Sequence, residues 1–194
     1  MTLIRVNPES VRAYGAEAQS LFDGMHQSLV QMVNDVVAVR YYGPNAVAFK
    51  TECGRMAAEF ANILHLDLAA MADAVSRSTS NIAASLGGAP VVVRVDPKPI
   101  TPPAPEVVDY VDVDTGALEA QIPAVTSRFG ELRQQLSSNL QKLSATDWEG
   151  NAKSMAVDEV GRFTTTAIGK CDEAQGSLSD FMRRQVDAVL AADR

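Results

Sequence analysis

The residue types best suited to ligation, general-base and thiol chemistry are scarce in this chain: two histidines, His26 and His65, and two cysteines, Cys53 and Cys171. An imidazole becomes a ligand or a working base when a second donor or a nucleophile stands beside it, three or four residues away on one helix face. His65 has Asp67 only two residues on, a spacing that a helix turns to a different face. Neither cysteine has a Cys-x-x-Cys partner, and there is no glycine-rich phosphate loop and no Ser–His–acid set in a recognisable context. No catalytic, metal or cofactor-binding set is therefore expected. The cysteines read as small buried helix residues, with one bridge between the two halves of the chain as the alternative.

The elements that carry these residues are defined by a repeat. Adding 107 to each position lays the first half on the second without a gap: Tyr41 falls on Trp148, Gly43 on Gly150, Gly54 on Gly161 and Arg55 on Arg162. Apolar positions follow the same offset, as in Phe22 with Phe129, Met25 with Leu132 and Leu29 with Leu136. A gapless match of this kind means that one structural unit occurs twice. Asn7 can cap a first helix, with Pro8 at its first position, and the offset places another good cap, Asp114, at the same point of the second copy. Apolar residues then recur at three- and four-residue steps, which predicts one buried stripe per helix. Tyr41-Tyr42-Gly43-Pro44-Asn45 and Asp147-Trp148-Glu149-Gly150-Asn151 interrupt each pattern, and a long helical pattern resumes after each, to about Leu86 and about Ala192. Each half is thus a helix–turn–helix hairpin.

Between the hairpins, residues 87–113 carry Pro90, Pro97, Pro99, Pro102, Pro103 and Pro105, a density that excludes helix and favours an extended chain. The Val91-Val92-Val93 run within it could pair as a strand, but packing along a helix surface suits it better. At about 3.1 Å per residue this linker reaches roughly 80 Å, enough to run the length of a helical arm of about 45 Å. The expected fold is all-α: two long hairpins, residues 1–86 (bend at 41–45) and 114–194 (bend at 147–151), packed as an antiparallel four-helix bundle and joined by an extended Pro-rich linker.

Composition narrows the function. A formal net charge of −7 opposes binding to nucleic acid, which needs clustered Lys and Arg, and opposes an electrostatic membrane anchor. No apolar run approaches the roughly 18 residues of a spanning helix. Met1 to Asn7 is too short and too mixed for a secretory signal with an apolar core.

Two hairpins with an aromatic-x-Gly bend resemble the WXG superfamily, the helical-hairpin proteins exported by type VII secretion systems. The likeness covers nearly the whole chain apart from the linker. Trp148-Glu149-Gly150 keeps the motif, and Tyr41-Tyr42-Gly43 replaces its Trp with Tyr. Members of that family pair as antiparallel dimers of separate hairpins, so this chain is similar to such a heterodimer fused into one polypeptide. The family also uses a Tyr-x-x-x-Asp/Glu export signal after one hairpin, read beside the bend of the partner hairpin. Tyr110-Val111-Asp112-Val113-Asp114 fits that pattern, but it follows the first hairpin, and no match follows the second, which ends at Arg194. In an antiparallel bundle the linker would bring Tyr110 to the Tyr41 bend.

The resemblance implies a non-enzymatic, type VII secretion-associated protein, exported without a cleaved signal peptide to the medium or cell surface, or acting as an export adaptor. Its implied partners are a type VII secretion ATPase or a co-exported protein. The fused pairing implies a monomer, an intramolecular pseudo-dimer of 20.7 kDa. The competing expectation is a scaffolding or chaperone-like helical bundle that stays in the cytoplasm.

Overall fold

A computed structural model describes residues 4–96 and 98–192; Pro97 and Arg194, with residues 1–3 and 193, lie outside the described residues. Among the described residues eight elements follow in chain order: β1 (Arg5–Val6), α1 (Pro8–Ala38), β2 (Tyr41–Tyr42), α2 (Pro44–Ser85), β3 (Asp112–Val113), α3 (Thr115–Ala145), β4 (Trp148–Glu149) and α4 (Asn151–Ala192). Every element of the second half lies 107 residues after its counterpart, at both ends. The protein is all-α, two helix–turn–helix hairpins packed as an antiparallel four-helix bundle and joined by an extended, proline-rich linker.

Local chemistry sets the helix ends. The Asn7 side-chain oxygen accepts hydrogen bonds from the Glu9 and Ser10 amides (3.1 and 3.4 Å), and Asp114 Oδ1 accepts one from Ala117 (2.9 Å). Each side chain satisfies amides that have no partner inside their own helix. The bends depend on Gly43 (φ +124°) and Gly150 (φ +129°), a backbone region that side-chain-bearing residues rarely enter. The end of α2 is closed by a Schellman arrangement in which Gly88 N–H bonds Ala83 O (2.7 Å) and Gly87 N–H bonds Ala84 O (3.1 Å). Pro123 sits inside α3 on its exposed side without ending the helix, where water can reach the carbonyl that its missing N–H leaves unbonded.

Contacts group the residues into two compact units, and each takes a segment from all four helices. One contains residues 1–26, 64–97 and 133–169; the other contains 27–63, 98–132 and 170–194. Both are built the same way, from the bend of one hairpin and the open end of the other. In the first unit β1 pairs antiparallel with β4, Val6 opposite Trp148; in the second β2 pairs antiparallel with β3, Tyr41 opposite Val113. The stripes form the cores: Phe22, Met25, Leu136 and Met71 are fully buried in the first unit, and Leu29, Val33, Phe129 and Leu132 in the second. Each such side chain contributes about 1.5–3 kcal/mol by leaving water.

The linker follows the first hairpin. Val91-Val92-Val93 forms no strand; Val91 packs on Gly15 of α1, and Val93 is buried with its backbone held by Ser76 of α2. In the second unit Asn62 grips Ile100 at both backbone groups (2.8 and 2.9 Å), and Pro102 lies so close to Gly54 that an added Cβ would stand 3.0 Å from it. Both cysteines are buried, and no disulfide joins them. Burial pushes the Cys53 thiol up to about 12, with the Glu52 carboxylate adding to the shift, which leaves it unreactive as a thiolate.

One polar pair crosses the first unit's core. Tyr14 of α1 donates to Asn139 Oδ1 of α3 (3.2 Å), and the Asn139 amide nitrogen faces Met71 Sδ (3.6 Å). Burial raises the Tyr14 phenol well above its ordinary value, so it stays a neutral donor. Tyr14→Phe leaves the Asn139 carbonyl buried without its donor. We expect it to lower stability by about 1–3 kcal/mol in urea denaturation. A change within error would show that Asn139 finds another donor.

Candidate functional site

The bend of the first hairpin gathers five of the chain's eleven aromatic side chains. Tyr41 is buried and packs on Phe49 (ring centroids 5.8 Å), and Phe49 stacks almost parallel on Phe181 of α4 (5.9 Å, 10°). Beside them Lys50 Nζ sits 4.6 Å above the Tyr42 ring, whose other neighbour is Tyr110 (6.2 Å). Burial pulls the Lys50 ammonium below its ordinary value against the pull of Glu106, and the ring's electron-rich face compensates part of the lost water. Arg40 reaches across to Asp112 Oδ2 through Nε and Nη2 (3.1 and 3.0 Å). That pair is exposed, so it orients the strand more than it stabilises it.

An open groove of about 840 Å³ runs beside this bend, lined by Tyr41, Phe49, Val111, Val113, Phe181 and Val189 among others. Its walls are the start of α2, the end of α4 and strand β3. Val111 on its edge is 74% exposed, and the adjoining Tyr110 is 53% exposed. Apolar and aromatic surface left open beside a shaped groove marks an interaction site more often than a catalytic one.

The bend of the second hairpin is closed by comparison. Trp148 is 1% exposed, and its indole Nε1 has no hydrogen-bond partner among the described residues. Asp147 N–H donates to Ser10 Oγ (2.9 Å), Asn7 N–H donates to Asp147 O (2.8 Å), and Lys153 Nζ donates to Thr146 O (2.8 Å). The offset explains the contrast. Phe49 and Phe181 stand opposite Ala156 and Ala74, both buried, so the larger indole of Trp148 coincides with small neighbours in its unit. Where the aromatic bulk sits on α2 and α4 instead, the smaller Tyr41 leaves a groove.

Tyr41, Gly43, Tyr110 and Asp114 therefore meet at one bend; Trp148 and Gly150 belong to the other unit. An added Cβ at Gly43 would meet Val111 Cγ2 at 3.1 Å and the Tyr110 carbonyl at 3.4 Å, so the glycine also admits the linker. Asp114 is occupied twice: its amide donates to Arg40 O (3.0 Å), and its carboxylate caps α3. Reading the sequence did not single out Phe49 and Phe181 as site residues. The signal available was the exchange of Phe for Ala between equivalent positions. The chain matches no protein-family model, no curated protein and no solved structure.

Capping and any recognition role of Asp114 can be separated by substitution. Asp114→Ala is expected to lower stability by about 1 kcal/mol, whereas Asp114→Asn, an equally good cap, changes it by less than about 0.5 kcal/mol. Urea denaturation of both variants checks this; equal losses would show that the charge, not the cap, holds the helix start.

Proposed function

We propose that this chain is a non-enzymatic, type VII secretion-associated protein: a single-chain counterpart of a WXG heterodimer, exported itself or serving as an export adaptor. The observation that carries the reading is the exposed Tyr110, held against Tyr42 at an aromatic-x-Gly bend and next to the open groove. The repeated hairpin, the positive-φ glycine in each bend and the buried Trp148 also support it. Among the described residues no helix is long and apolar enough to cross a membrane.

In this reading the secretion ATPase or a co-exported protein meets the Tyr110 edge of the Tyr41 bend. The partner would gain from covering the Val111 and Tyr110 side chains at about 25 cal/mol per Å² of apolar surface. The fused halves keep the two hairpins at high mutual concentration, so one chain provides a stoichiometric pair and works as a monomer.

Export decides the matter. In a host with a type VII system, culture filtrate and lysate are compared for wild type, Tyr110→Ala, Asp114→Asn and a strain lacking the secretion ATPase. Wild type in the filtrate, lost without the ATPase and reduced at least tenfold by Tyr110→Ala, is the expected result. Asp114→Asn keeps the cap, so a loss there reports on the carboxylate alone. Retention of wild type in the lysate, with no co-exported protein dependent on it, would leave a cytoplasmic scaffold instead.

A further inference from the structure

The two histidines, far apart in sequence, meet inside the first hairpin. His26 of α1 and His65 of α2 have ring centroids 5.4 Å apart, tilted by 58°. His65 is buried at 6% exposure and His26 is half-buried. Among the described residues each Nδ1 is buried without a hydrogen-bond partner. The linker reaches this pair at His65. His65 hydrogen-bonds the backbone of Asp96. Just before it, Gln19 of α1 holds Arg94 at both backbone groups (2.9 Å to the carbonyl, 2.8 Å from the amide). Ser76 of α2 does the same for Val93 (3.1 and 2.8 Å), and Ser80 donates to Val91 O (3.0 Å). Residues 91–96 are thus a strap across α1 and α2, fastened by neutral polar side chains and, at its far end, by one histidine.

We propose that the His26–His65 pair is an acid-sensitive fastening, whose protonation frees linker residues 91–96 from α1 and α2. A proton added at either Nδ1 would make a buried donor with no acceptor, and two imidazolium ions would stand 5.4 Å apart. Either is relieved when the strap lifts and water enters. The charges acting on His65 are His26 from α1 and Asp96 from the linker; among the described residues none comes from α3 or α4. Asp67 lies two residues along α2, and Asp23, one turn before His26, is tied to the Gln19 amide (2.8 Å). Burial lowers the His65 pKa first and His26 lowers it further; Asp96 opposes both and is outweighed. The direction follows. A histidine held below its ordinary value stabilises the fastened state above roughly pH 6.5, and that stability drains away as pH falls through the lowered value.

Amide hydrogen exchange at Val93 and Arg94, compared at pH 7.5 and 5.0 after correction for intrinsic rates, tests this. In wild type we expect protection at these two amides to be lost on going from pH 7.5 to pH 5.0, beyond the change in intrinsic rate. His65→Gln keeps a side-chain donor for the Asp96 backbone but does not titrate, and should show equal protection at both pH values. His26→Gln removes the neighbouring charge and should move the midpoint of the wild-type response to higher pH. Equal wild-type protection at both values would overturn the proposal. So would a wild-type-like loss in His65→Gln. If circular dichroism shows that His65→Gln does not fold, His26→Gln decides: an unchanged midpoint overturns the pair as the sensor.

Discussion

Two backbone hydrogen bonds fix the register of the bundle: Asn7 N–H to Asp147 O (2.8 Å) and Asp114 N–H to Arg40 O (3.0 Å). Each joins the residue that caps a helix to the residue just before the aromatic of the other hairpin's bend, Trp148 or Tyr41. The short strands continue from these bonds, and the side chains of the same residues, Asn7 and Asp114, cap α1 and α3. One residue per half therefore starts its own helix and positions the opposite bend. A slip of one residue would break the cap and the bridge together, and would also turn each apolar stripe by about 100° away from its core. The long helices need such a pin, because rows of Leu, Val and Ala can pack in more than one register.

Within this shared plan the halves differ where pairing must be specific. Tyr14 and Asn139 form a buried pair, but the offset carries Tyr14 onto Gln121 and Asn139 back onto Met32. A first hairpin paired with its own copy would set Tyr14 opposite Met32, with no oxygen there to accept from the phenol, and a buried unsatisfied hydroxyl is costly. The exchange of Trp148, Ala156 and Ala74 for Tyr41, Phe49 and Phe181 acts similarly, since each set suits only its own unit. Divergence at these few core positions favours pairing of unlike hairpins.

Much of this fold is legible in the sequence because it rests on local chemistry. Caps at Asn7 and Asp114, glycines at the bends and apolar residues at helical spacing each act on their near neighbours and leave a pattern in the chain. The path of the linker leaves none. Gln19, Asn62 and Ser76 read as ordinary solvated helix residues, since what they bind is backbone N–H and C=O, which every residue carries. The histidine pair was hidden for a related reason. His26 and His65 are roughly equidistant from the bend, and only the register of the folded hairpin brings them together.

The strap also explains an asymmetry that the repeat alone leaves open. The offset places Thr126 opposite Gln19, Gly169 opposite Asn62 and Arg183 opposite Ser76, so the second hairpin has none of the side chains that hold an extended backbone at both its groups. Opposite His26 and His65 it carries Arg133 and Asp172, so the imidazole pair has no counterpart there. The first hairpin thus differs from the second along the surface where the linker lies, as well as in the core. Fusing two hairpins required only a chain long enough to reach. Side chains that grip its backbone, with a titratable pair at the end of the grip, go beyond that need. They make the connection between the halves a part of the structure that conditions can act upon.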